Sequence, residues 1–198
     1  ALESLDELIQ VYRDEKIFKF LHLPVQSGDN EVLKNMNRFY STEDFKEIIS
    51  RFREEIPDIT IATDVICGFP GESDEAFSKT LKLVEETQPD IVNVSKFFPR
   101  PHTSAQKMEP HVPIQKVSER SKRIAESAKK ISLEKNRKWE RWKGKILVDE
   151  EGKVPNSWIG RNFAYKPIVV KSNETLLGKF IDVKVGKTFA TYLMARIF

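Results

Sequence analysis

A chain of 198 residues is long enough for one large core or for two unequal domains. Its 33 basic and 30 acidic side chains leave a net charge of +3, which excludes a globally basic nucleic-acid protein and leaves any RNA contact to local clustering. One cysteine, Cys67, excludes an intrachain disulfide and fits a reducing cytoplasm, and no apolar run approaches the roughly 20 residues that span a bilayer. The acidic opening A-L-E-S-L-D-E-L-I-Q lacks the basic region of a signal peptide, and the absence of a starting Met reads as a fragment or a processed product.

The first strand is expected over Ile17–Leu23, an aromatic-rich run closed by Pro24, and a helix over Asn30–Met36 follows it. Ser41 reads as an N-cap with Asp44 three residues on, and Phe45, Ile48, Ile49 and Phe52 then recur at helical spacing until Pro57. Ile59–Ile66 reads as a buried strand. Ser73 caps a helix carrying Phe77, Leu81 and Val84, and Ile91–Phe98 is a further strand ending at P-R-P. Strands alternating with helices in this way predict βαβ units and a parallel sheet. A long helix is expected over Ile114–Trp142, with Val117, Ile124, Ala128 and Ile131 inside and Arg120, Lys122, Arg123 and further cations on the surface. From Gly144 the pattern becomes short β runs (Lys145–Val148, Tyr165–Val170, Lys179–Val185, Thr188–Arg196), and five or so strands predict a small OB-like barrel.

Two polar strand ends carry the chemistry: H-L-P-V-Q-S-G at His22–Gly28 and T-D-V-I-C-G-F-P-G-E at Thr63–Glu72. Gln26 and Asp64 on neighbouring strand ends can hydrogen-bond the two vicinal hydroxyls of a ribose, and Arg38 offers a charged fork for a carboxylate. Gly68 to Gly71 let backbone approach a flat ring, with Phe69 as apolar surface. The alternative is a tight turn, with Asp64 satisfying a buried backbone donor, and spacing leaves both open. His22 reads as a structural group beside the site, while His102 and His111 lack metal-ligand spacing. Cys67 reads as a small buried hydrophobe, so no metal ligand is expected here. In the last segment Trp158, Arg161, Phe163, Tyr165 and Lys166 interleave aromatics with cations, a mixture that stacks bases and tracks phosphates, or else divides into barrel core and ordinary surface.

The stretches H-L-P-V-Q-S-G-D-N-E-V-L-K-N-M-N-R, I-T-I-A-T-D-V-I-C-G-F-P-G-E-S-D-E-A-F and F-F-P-R-P-H-T-S-A resemble the second half of a radical S-adenosylmethionine (SAM) methylthiotransferase. The last fifty-odd residues resemble a TRAM domain. The resemblance is closest to the branch that methylthiolates N6-threonylcarbamoyladenosine beside the tRNA anticodon. It implies an α/β fold, a partial (β/α) radical SAM barrel over residues 1–140 followed by an all-β TRAM barrel over 141–198. It further implies that Gln26 and Asp64 hold the SAM ribose, with Ser27 as a further cofactor contact, that Arg38 meets the methionine carboxylate, and that Ile66, Gly68 and Phe69, with the strand end at Phe97 and Phe98, flank the adenine. Arg100 becomes a substrate contact, and Arg161, Phe163, Tyr165 and Lys166 become RNA contacts. The family's C-x-x-x-C-x-x-C loop and three further cysteines are absent, so two [4Fe-4S] clusters, and catalysis with them, are expected in a missing N-terminal part. Partners implied are tRNA, that missing part and an electron donor, in the cytoplasm and without a membrane. Alternatives are a methylthiotransferase acting on another tRNA adenosine or a ribosomal protein, and a non-catalytic RNA-binding module.

Overall fold

In a parallel sheet both faces of a strand are covered, so its strands are almost continuously apolar. Thr60–Cys67 meets that condition, and all but two of its residues are buried. The computed structural model, which describes residues 4–198, places this segment (β2) between β1 (Phe20–His22) and β3 (Ile91–Lys96) in a three-stranded sheet. Strands β2 and β3 run parallel, in register from Ala62 opposite Ile91 to Cys67 opposite Lys96. Beyond β1 the chain stays beside β2: Leu23 donates to the carbonyl of Ala62, and Gln26 bridges to Val65. Helix α1 (Leu5–Tyr12) precedes β1 and has no counterpart among the expected elements.

The caps follow the side chains. Asp29 accepts from the N–H groups of Glu31 and Val32 to start α2 (Asn30–Asn35). Ser41 and Asp44 bond each other's backbone N–H at 2.7 and 3.1 Å, a reciprocal capping box that starts α3 (Thr42–Glu55). Ser73 accepts from Ala76 to start α4 (Asp74–Thr87), which ends where Gln88 turns left-handed at φ 44°. A short helix α5 (Ser104–Lys107) follows β3, and α6 runs Ile114–Arg137, stopping five residues before the expected end. The reason lies in Trp139, which is buried in the core of the next module and cannot also continue a solvated helix. Backbone contacts divide the chain into two units, one made of Leu21–Arg51 with Ile61–Lys129, the other of residues 4–20 with Phe52–Thr60 and Lys130–Phe198.

The second unit contains a closed barrel of β4 (Lys143–Glu151), β5 (Ser157–Arg161), β6 (Pro167–Lys171), β7 (Phe180–Thr188) and β8 (Leu193–Ile197), in the order β4-β5-β6-β8-β7. All pairs are antiparallel except β6 with β8. Alternate residues point inward, so Ile146 and Val148, Ile168 and Val170, and Val183 and Val185 fill the core together with Trp139 and Leu193. Strand β5 went unseen in the sequence because Gly160 interrupts its apolar pattern. A Cβ there would lie 2.8 Å from Ile146 Cδ1, so glycine is what lets the two strands close.

Candidate functional site

The carboxyl edge of a parallel sheet is where backbone leaves room for a ligand. At that edge a cavity of about 490 Å³ is lined by Gln26, Asp64 and Ile66, by Ser95 to Phe98, and by Arg100, Thr103 and Ala105. This size suits a nucleoside-sized ligand. Ile66, Phe97 and Phe98 supply the apolar side, and Phe98 is 80% exposed, so its ring is free to cover a ligand. Phe97 is fixed from behind by an edge-on contact with Phe69, ring centroids 5.3 Å apart.

Gln26 sits in the left-handed region at φ 67°, a conformation that costs a non-glycine residue of order 1 kcal/mol. Two backbone bonds hold it there: its N–H donates to Asp64 O at 2.8 Å and its carbonyl accepts from Ile66 N at 2.9 Å. Its side-chain amide bonds none of the described residues and is available to the cavity. Asp64 is oriented from both neighbouring strands. His22 Nε2 lies 3.0 Å and Asn93 Nδ2 2.8 Å from the same oxygen, Oδ1, which leaves Oδ2 as an acceptor. Asn93 is opposite Asp64 in the β2–β3 register; sequence reasoning missed it, because the pairing register was the missing information.

Below the rim lies a buried ion pair that was also missed. Arg120 donates to Glu72 Oε2 at 2.6 Å and Glu72 O at 2.9 Å through Nη1, and to Asp74 Oδ1 at 2.7 Å through Nη2. Glu72 in turn accepts from Gly68 N at 2.8 Å, closing the F-P-G-E turn around its own carboxylate. Burial pushes the Glu72 carboxyl up, against the pull of the Gly68 N–H and Arg120. Asp74 is held down to about 2 by its hydrogen bonds to Lys116 and Arg120. Arg120, expected on the helix surface, is thus 3% exposed. Gly68, at φ 82°, is tied down from the other side, since a Cβ would fall 2.3 Å from Val117 Cγ2. Cys67 is fully buried, and burial pushes its thiol up to about 12. Among the described residues no group of three His, Cys, Asp or Glu side chains can hold a metal ion.

Of the residues expected at one rim, the structure gathers Gln26, Asp64, Ile66, Phe98 and Arg100 around the cavity. Ser27 is buried and faces Thr80 Oγ1 at 3.4 Å, Phe69 packs with Val32 and Ala76, and Gly68 lies under Val117. Arg38 is exposed outside the cavity lining. On the barrel, Phe163 is 43% exposed, whereas Lys166 is 4% exposed. Arg161 lies near Asp149 and Glu150, with its guanidinium over the Tyr165 ring at 5.0 Å. Tyr165 also touches Phe18 and Phe20, centroids 5.0 Å away.

Residues 2–84 match the radical SAM superfamily and residues 144–198 match the TRAM domain. A solved structure of coproporphyrinogen III oxidase from Escherichia coli, described as a radical SAM enzyme, is similar over 94% of this chain and 44% of its own, with a TM-score of 0.51 at 18% identity, a likeness of fold alone. The chain therefore carries a radical SAM segment followed by a TRAM domain. A probable threonylcarbamoyladenosine tRNA methylthiotransferase of Pyrococcus horikoshii is 45% identical over 100% of this chain, and the human threonylcarbamoyladenosine tRNA methylthiotransferase is 38% identical over 95% of it. Both modules of the chain thus match proteins named as methylthiotransferases, and the chain spans 45% of the archaeal protein and 32% of the human one. Among the described residues no helix is long and apolar enough to cross a membrane.

Proposed function

We propose that the chain is the C-terminal part of a cytoplasmic enzyme that methylthiolates C2 of N6-threonylcarbamoyladenosine beside the tRNA anticodon, with domains meeting near residues 140 and 141. The observation that carries this reading is the match of the whole chain, both modules included, to methylthiotransferases named for that substrate. SAM, bound with a reduced iron–sulfur cluster, would supply the radical that removes hydrogen from the substrate, and the methyl group that is transferred. The chain's own residues bind and orient. The Gln26 amide and the open Oδ2 of Asp64 hold the two ribose hydroxyls, His22 and Asn93 fix the Asp64 carboxylate, and Ile66, Phe97 and Phe98 sandwich the adenine. Arg38, whose guanidinium has no ion pair among the described residues, is assigned to the methionine carboxylate. Arg100 at the cavity mouth and the exposed Phe163 ring are assigned to RNA.

One buried cysteine and no metal-binding group among the described residues do not fit a cluster, so both clusters, and the electron donor that serves them, are assigned to the rest of the protein. The test is the full-length protein with reconstituted clusters, incubated with SAM, reductant and tRNA carrying threonylcarbamoyladenosine, followed by mass analysis of the nucleosides. A methylthio product is expected. An unchanged threonylcarbamoyladenosine pool alongside activity on another substrate would overturn the assignment.

A further inference from the structure

The outer face of the barrel carries a charge arrangement that packing does not explain. Lys184 of β7 stands directly opposite Lys143 of β4 on one side and Arg196 of β8 on the other. Its neighbours Val183 and Val185 are buried in the barrel core, so Lys184 and its two cross-strand partners face outward. Like charges directly opposite each other weaken an antiparallel pair. None of these three cations has an ion pair among the described residues. Two residues along the same strands Lys145 stands opposite Asp182 and pairs with it at 3.0 Å, so the same pair of strands neutralises a cation one step from the row.

Beside the cationic row, β7 and β8 slip register between Val185 and Lys187. There a groove of about 420 Å³ is lined by Arg141, Lys184, Lys187, Met194 and Arg196, with Glu140 as the one carboxylate in its wall. Gly186 lies in the slip. A Cβ built on it would meet nothing nearer than Met194 O at 3.9 Å, so internal packing does not require a glycine there. The space it leaves opens to solvent, where a ligand backbone can come close. Arg141 is held left-handed at φ 66°, its N–H donating to Val185 O at 3.2 Å, which fixes its position at the groove wall.

We propose that this groove is a binding site for the phosphodiester backbone of RNA, with Lys184, Arg196, Lys187 and Arg141 as the phosphate contacts. Phosphates seated there remove the repulsion along the row, and the cost of keeping like charges together is offset on binding. The inference rests on the tRNA reading above and moves the barrel's phosphate contacts from Arg161 and Lys166 to the β7–β8 groove.

The experiment measures binding of the full-length protein to an unmodified tRNA transcript by fluorescence anisotropy across a salt series. Lys184→Gln/Arg196→Gln is expected to weaken binding at least about tenfold at low salt and to reduce the slope of log K against log salt by roughly 1.5, as the loss of two phosphate contacts requires. Without RNA the same variant is expected to melt about 1–3 °C higher, because the like-charge row is gone. Gly186→Val, which fills the groove floor while keeping every charge, weakens binding and serves if the double variant fails to fold. Lys145→Gln, at a neutralised position, leaves the slope unchanged. Wild-type slopes in both groove variants, with tRNA bound and modified normally, overturn the groove alone. Wild-type protein that binds anionic phosphatidylserine vesicles but no tRNA overturns the groove and the tRNA reading together.

Discussion

Arg120→Met tests whether the turn after β2 is held by its buried ion pair. In the native protein the Glu72 side chain is 1% exposed, and among the described residues Arg120 supplies its only countercharge, at 2.6 Å. The substitution leaves that carboxylate with the Gly68 N–H alone and removes a guanidinium that also lies over the Phe77 ring, 5.3 Å from its centroid. Breaking a buried pair from one side costs about 3–5 kcal/mol, because the remaining charge stays desolvated. The pH dependence follows from Glu72. Its folded-state pKa lies above the ordinary 4.5, so the folded chain binds the proton more tightly and this contribution to stability falls as pH rises through that interval. Without Arg120 the interval widens upward, and the loss should be larger at pH 8 than at pH 5. Urea unfolding at both pH values, followed by circular dichroism, measures it. Glu72→Gln/Arg120→Met should recover most of the loss, since no unpaired charge remains. An Arg120→Met midpoint within error of wild type at pH 8 would refute the reasoning.

In the full-length enzyme, Gln26→Ala and Asp64→Ala should each weaken SAM binding about 10–100-fold by calorimetry, while Asn93→Ala, which only orients Asp64, should cost about threefold; undiminished affinity in Asp64→Ala would remove the ribose assignment. With its thiol pushed up to about 12, Cys67 at pH 8 holds a thiolate fraction on the order of 10⁻⁴, so iodoacetamide should leave it untouched until urea unfolds the chain. Complete alkylation of protein with an intact circular dichroism spectrum would contradict that burial.

The parallel sheet and the meeting of Gln26 with Asp64 at neighbouring strand ends were legible because strand direction and capping residues lie in short stretches of sequence, whereas Ile66 and Phe98 entered only through the family resemblance. Asn93 was not, since its meeting with Asp64 depends on a register that apolar patterning does not define. Arg120 had a usable signal that went unread: it falls three residues after Val117 and four before Ile124, on the face that packs inward. Its charge argued for the surface, and only a partner for that charge, Glu72 in the turn after β2, makes the inner position tolerable. Lys166 misled in the same way, as a cation following the left-handed Tyr165 at φ 58° that the chain turns inward.

Charge counted along the chain and charge counted across strands therefore answer different questions. A net charge of +3 excludes a globally basic surface, yet Lys143, Lys184 and Arg196, each unremarkable in sequence, become one row only when β4, β7 and β8 are paired. The same pairing assigns Asp182 to Lys145, and Asp149 and Glu150 to Arg161, and so subtracts those cations from what a polyanion meets. Lys184 and Arg196, which have no ion pair among the described residues, lie at a register slip beside left-handed Arg141, just as the candidate cavity lies beside left-handed Gln26. In both units strained backbone accompanies polar groups left open to solvent, the Gln26 amide in one and the Lys184 and Arg196 charges in the other, and strained backbone costs stability unless a ligand is there to use it.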